Sequence, residues 1–199
     1  MVLLLNGPIW FRGIDTVFTL IFALVTLLIA YLSYKAYALT DERKYKYFSL
    51  SFLSLFLGFG IAGLFSGLLV THVSTSLTNL LETFDIVFLA HVFFVTLAYT
   101  MLILVTYKVK ERALMALLTV IALLFTAFSY QHFMKFHLVS LVLLSFLVYK
   151  FYKNFIEKKN FNSKLVFASF YLMATAELFL IVDLFADGLF YIVAQSLQL

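Results

Sequence analysis

The chain has 199 residues, of which 64% are hydrophobic and only 12% are charged, and its mean hydropathy is +1.06. Soluble domains carry about 25% charged residues, so this composition excludes an ordinary soluble protein and predicts an integral membrane protein. The net charge is +4, and the basic residues lie in short loops between apolar runs. Basic residues in such loops set the orientation of a membrane protein, which explains the charge better than nucleic-acid binding does. The absence of cysteine excludes disulfides and thiolate metal sites.

Apolar runs of about 20 residues recur along the chain, and each is long enough to cross a hydrocarbon core of roughly 30 Å as an α-helix. Residues 1–13 contain neither a basic leader region nor a small-residue cleavage site, so the first helix is expected to be retained. The fold predicted is all-α, a polytopic transmembrane helix bundle that forms a single domain over residues 1–199. The predicted spans are 14–37, 45–70, 85–107, 113–130, 131–152 and 161–185.

The sequence indicates where the sixth span begins and how long the segment after it can be. The stretch NFNS at 160–163 precedes the sixth span, and its short polar side chains favour a helix N-cap there. Residues 188–199 are apolar but would form only about 18 Å of helix at 1.5 Å per residue, which is too short to span. This segment is expected either to be half-inserted or to belong to a seventh helix that the chain does not complete.

Basic residues are distributed unequally between the loops. Twelve of the fourteen Lys and Arg residues fall at the loops that follow the first, third and fifth spans. The positive-inside rule therefore predicts a multi-pass protein of the cell membrane with its N-terminus outside. The lipid bilayer is its expected environment, and the inner basic loops would suit anionic lipid or a protein partner.

The second predicted span contains GFGIAGLFSG at 58–67, in which small residues recur four positions apart. Such spacing lets helix backbones approach closely in a membrane. The pattern predicts helix packing, with a cavity wall or a bending point as the alternative. The residues concerned are Gly58, Ala62, Gly63 and Gly67.

Three ionisable residues lie inside predicted spans, namely His91, His137 and Glu177. Counted from polar residues near the outer ends of their helices, all three lie roughly 9 to 15 Å deep at 1.5 Å per residue. An ionised carboxylate at the centre of a span costs about 2.5 to 3.5 kcal/mol. Glu177 is therefore expected to face the bundle interior and to share a ligand-binding pocket with at least one of the two histidines.

This outer polar layer favours a receptor or sensor-like bundle that binds a small ligand or an ion. The alternatives are a transporter or proton-coupled carrier that uses Glu177, a scaffold subunit of a membrane complex, and a metal- or haem-binding protein. His91, His137 and Glu177 would be the metal ligands if there is a metal, although the sequence requires no cofactor. Catalysis is not expected, because the sequence contains no Gly-rich phosphate loop, no GxSxG and no carboxylates paired at catalytic spacing.

The basic imbalance generates a test of orientation in a chain that has no native cysteine. Single cysteines at the inner loops should resist a membrane-impermeant thiol reagent in intact cells, whereas one at an outer loop should react. The inner variants are Lys44→Cys, Lys110→Cys and Lys158→Cys, and the outer one is Ser76→Cys. Labelling of Lys110→Cys from outside would contradict the predicted orientation.

Overall fold

The computed structural model describes residues 11–71, 77–108, 116–117, 120–121, 124, 132–186 and 190–198. None of these residues lies in a strand, which confirms the all-helical prediction. The helices with described bounds are α1 (Arg12–Thr40), α2 (Arg43–Thr71), α3 (Leu77–Tyr107), α4 (His132–Lys158), α5 (Phe161–Asp183) and α6 (Tyr191–Gln198).

Five of these helices, α1 to α5, contain segments long and apolar enough to cross a membrane. The protein is accordingly a helical membrane protein. The fourth predicted span, 113–130, falls largely outside the described residues, of which 116–117, 120–121 and 124 are helical. The total of six full spans and a seventh partial one therefore stays a prediction, as does the outside position of the N-terminus.

Two helices extend more than five residues beyond one end of their predicted spans. Helix α3 begins at Leu77 rather than residue 85, and α4 ends at Lys158 rather than residue 152. A span predicted from an apolar run ends at the first charged residues, whereas Glu and Lys are favourable residues in a helix and let it continue. The membrane-spanning segment of α3 begins at Ile86, so this helix starts before its apolar part.

Short turns connect α1 to α2 and α4 to α5. Asp41 and Lys159 adopt left-handed backbone conformations, with φ of 52° and 47°. Their N–H groups donate to Tyr37 O and Phe155 O, each at 2.8 Å, and so satisfy carbonyls at the helix ends. Asn160 then caps α5, since its Oδ1 accepts from Ser163 N at 2.8 Å. This cap confirms the helix start predicted from NFNS.

The described residues form two compact units, one within Pro8–Met101 and the other within Leu102–Gln198. The first unit contains α1, α2 and most of α3, and the second contains the end of α3 with α4, α5 and α6. The single domain expected over residues 1–199 stays a prediction.

In the first unit, side-chain hydroxyls bond to backbone carbonyls of neighbouring helices. Ser49 Oγ of α2 donates to Ala30 O of α1 at 2.8 Å. Ser54 Oγ, also of α2, donates to Phe94 O of α3 at 2.8 Å. A membrane interior contains no water to bond these polar groups, so the hydroxyl and carbonyl groups bond to each other. These bonds join α2 to both α1 and α3.

Three glycines of α2 lie against neighbouring helices. A Cβ atom on Gly63 would stand 2.9 Å from Leu20 Cδ2 of α1, and one on Gly67 would stand 3.5 Å from Thr16 Cγ2. On Gly58 it would meet Val95 Cγ2 of α3 at 3.0 Å and His91 O at 3.4 Å. Gly58 therefore lies against α3, whereas Gly63 and Gly67 lie against α1.

These contacts predict different effects of adding a methyl group at two glycines of α2. Gly58→Ala should lower the free energy of unfolding by about 1 to 3 kcal/mol, because Val95 and the α3 backbone leave no room. Gly60→Ala is the matched control, since among the described residues its Cβ would meet only Phe56 Cε2, at 3.8 Å. It should be neutral or stabilise by up to about 1 kcal/mol through helix propensity. Thermal unfolding in detergent, followed by circular dichroism, measures both, and equal effects would contradict the assignment.

Candidate functional site

A histidine and a glutamate meet inside the second unit. His137 Nδ1 of α4 lies 2.5 Å from Glu177 Oε2 of α5. Both residues are buried, with 5% and 2% of their surfaces exposed. They lie within the membrane-spanning segments Met134–Lys158 and Phe161–Asp183. The two ionisable side chains therefore contact each other within the apolar part of two adjacent helices.

The helical repeat directs both side chains toward each other. On α4, the buried residues His137, Ser140, Leu144 and Leu147 are spaced by three or four positions, which defines one helix face. On α5, the same spacing relates the buried residues Phe170, Ala174, Glu177 and Leu180. Helices α4 and α5 pack together, so the histidine and the glutamate each occupy the buried face of their helix. Ala174, one turn before Glu177, adds little bulk beside the carboxyl group.

The pairing removes the electrostatic difficulty of a carboxylate within a membrane span. An imidazolium with a carboxylate and a neutral imidazole with a carboxylic acid both have zero net charge. Transfer of the shared proton between Nδ1 and Oε2 therefore leaves the His137–Glu177 pair neutral. Gain or loss of one proton would instead leave a net charge in a buried position, at a high cost in free energy.

His91 belongs to the first unit and has a different environment. Its Nδ1 lies 3.0 Å from Gly58 O of α2. A carbonyl oxygen only accepts, so Nδ1 carries the proton and donates it. The imidazole also packs edge-on against Phe59, with ring centroids 5.0 Å apart. His91 thus links α3 to α2. The small Gly58 permits the two helices to approach closely enough for this bond.

The expected proximity of Glu177 to at least one histidine is present, since it contacts His137. Among the described residues, no group of three or more His, Asp and Glu side chains lies close enough together to hold a metal ion. His72 and Asp187 lie outside the described part of the chain. A ligand-binding role for His91, His137 and Glu177 remains a prediction.

Asp183 has a structural role that sequence reasoning missed. It is only 3% exposed, although it lies near the end of a predicted span. Its Oδ1 accepts from Phe190 N at 2.8 Å and from Tyr191 N at 3.1 Å. Asp183 therefore caps the start of α6 from the last residue of α5. A carboxylate a few residues before a helical segment was the available signal, but the chain reversal between them was not predictable.

The His137–Glu177 pair has two properties relevant to function. Its two groups can exchange a proton with each other without a change in the net charge of the pair, and it joins α4 directly to α5. A comparison of the chain with protein-family models, curated proteins and solved structures finds no match. The function is therefore inferred from the chemistry of these residues.

The Asp183 cap generates a prediction about α6. Asp183→Ala should destabilise the start of α6 by about 1 kcal/mol, because two backbone amides lose their acceptor. Asp183→Asn keeps one acceptor oxygen and should have a smaller effect. Hydrogen exchange at the Phe190 and Tyr191 amides measures the change, which should be an acceleration of roughly fivefold for the alanine variant. Unchanged exchange in Asp183→Ala would contradict the capping role.

Proposed function

We propose that this protein is a membrane-embedded receptor or sensor-like bundle whose responsive element is the His137–Glu177 pair. The observation that supports the proposal is the direct contact, at 2.5 Å, between two ionisable side chains inside membrane-spanning helices. Ionisable groups in such positions are costly and commonly mark ion, proton or ligand sites. Packing alone would be served by apolar side chains at much lower cost.

The chemistry of the pair indicates which ligands it would take. Glu177 accepts hydrogen bonds and attracts positive charge, so a proton, a small cation or a small amine can compete with His137 for its carboxyl group. Binding of this kind would break or weaken the link between α4 and α5. A ligand can shift the equilibrium between two helix arrangements only by as much as its binding free energies for the two arrangements differ.

The short turn at the other end of the same helices provides a route for the signal. Glu177 lies sixteen residues after Phe161, about 24 Å along α5 at 1.5 Å per residue. That end of the hairpin carries the basic turn predicted to lie on the inner side of the membrane. A change of packing at the pair would therefore be transmitted along α4 and α5 to this turn.

The proposal predicts that Glu177→Gln abolishes a response without unfolding the protein, because the amide keeps the size of the carboxyl group but removes its charge. Spin labels on Leu138→Cys and Leu178→Cys report the α4–α5 distance, since both positions are exposed beside the pair. The distance distribution should shift on addition of sodium ions, which would compete with His137 for the Glu177 carboxyl group. Glu177→Gln should remove the shift, whereas the control Glu157→Gln, an exposed residue of α4, should keep it.

Apolar substitutions separate stability from function. Glu177→Leu or His137→Leu alone leaves one polar partner buried and should destabilise the protein, by up to about 3 to 5 kcal/mol if the partner stays charged. The double variant removes both polar groups and should recover most of this loss. It should still lack the response. Retention of the distance shift in the double variant would overturn the proposal.

A proton-coupled carrier is the second candidate, because an adjacent imidazole and carboxyl group can also form a proton relay. Purified protein in liposomes with an internal pH indicator distinguishes the two functions. Proton or sodium flux that Glu177→Gln abolishes and Glu157→Gln retains would favour the carrier. A distance shift without flux would favour the sensor.

A further inference from the structure

A shallow cleft of about 260 Å³ lies at the turn between α4 and α5. Its polar lining comes from both helices and the turn, through Asn154, Lys158, Asn160, Asn162 and Ser163. Amide, hydroxyl and ammonium groups of this kind are the donors that bind phosphate oxygens. A water molecule occupies about 30 Å³ in the liquid, so the cleft has room for a group several times larger.

The surroundings of the cleft are strongly basic. Residues 150–164 contain five lysines and one acidic residue, Glu157. Four of the lysines are exposed, namely Lys153, Lys158, Lys159 and Lys164. Within the described part of the chain, none of these four forms an ion pair with an acidic side chain. Their positive charge is therefore available to an anion.

The turn between α1 and α2 is also basic but is organised differently. Lys44 forms an ion pair with Glu42, and its Nζ also lies 4.7 Å from the centre of the Tyr45 ring. Lys46 Nζ lies 5.9 Å from the centre of the Tyr37 ring. Lysines of the α1–α2 turn thus already contact acidic or aromatic groups of the chain, which makes this turn a suitable internal control.

The cleft also lies where membrane helices end. Lys158 ends one membrane-spanning segment, and Phe161 begins the next. Large apolar side chains flank the polar cleft and are exposed, including Phe161 at 71%, Leu165 at 50% and Ile156 at 48%. Phe151 and Val166 form the apolar part of the lining. A ligand here would meet donors at one end and apolar surface at the other.

We infer that this cleft binds the phosphate headgroup of an anionic phospholipid, with the acyl chains against the exposed apolar residues of α4 and α5. The unpaired lysines supply charge complementarity, and the asparagine and serine groups supply hydrogen bonds to phosphate oxygens. The adjacent apolar surface at the membrane boundary favours a lipid over a soluble anion. This site is separate from the His137–Glu177 pair and does not depend on the proposed function.

Native mass spectrometry of the full chain in detergent, titrated with phosphatidylglycerol or phosphatidylcholine, tests the inference. The wild-type chain should retain one phosphatidylglycerol in preference to phosphatidylcholine. Lys158→Gln should reduce that preference roughly fivefold, as expected for one lysine near a headgroup. Asn162→Leu should also reduce it although the charge is unchanged. Lys44→Gln, which removes the same charge from the α1–α2 turn, should change it less than about twofold.

Three results would overturn the inference. One is an equal loss of preference in Lys44→Gln and Lys158→Gln, which would indicate attraction to net positive charge without a site. Another is unchanged preference in both Lys158→Gln and Asn162→Leu. The third is displacement of phosphatidylglycerol by inorganic phosphate at equal concentration, which would identify a soluble anion as the ligand. Circular dichroism of each variant verifies that the exposed substitutions leave the helices intact.

Discussion

The contact between His137 and Glu177 satisfies the most demanding constraint in the described structure, which is the burial of a carboxyl group within a membrane-spanning helix. The free-energy cost of a charge in hydrocarbon is avoided only if the group is neutral or paired. Because the imidazole lies 2.5 Å away, the pair as a whole carries no net charge in either position of the shared proton. This neutrality requires α4 and α5 to present particular faces to each other.

The geometry of the α4–α5 hairpin supplies that alignment. Asn160 fixes the start of α5, and the left-handed conformation of Lys159 ends α4 one residue earlier. Aromatic side chains then stack between the helices, as for Phe151 and Phe170, whose ring centroids are 4.8 Å apart. A short turn and directional ring contacts limit sliding of one helix along the other. The pair is thus held in register from the opposite end of the hairpin.

The described part of the first unit relies on close approach of backbones instead of a buried pair of ionisable groups. Apolar side chains give helices no preference for each other over lipid, so packing of small residues and hydrogen bonds must supply the association. Gly58 lets α3 approach α2 closely enough for His91 to donate to its carbonyl oxygen. The two histidines of similar predicted depth therefore have different chemistry, one bonded to a carboxyl group and the other to a peptide.

The sequence by itself determined the all-helical class, the membrane environment, the start of α5 and the buried location of Glu177, because apolar length, capping residues and charge cost are local properties. It did not determine which histidine would contact Glu177, since that choice depends on the relative rotation and register of helices distant in sequence. It also did not show that Asp183 caps α6, because the cap requires a reversal of the chain after α5. Only the tertiary structure decided these contacts. A helical pattern fixes the face that each side chain occupies. A hydrogen bond further requires that its two heavy atoms come within about 3 Å of each other.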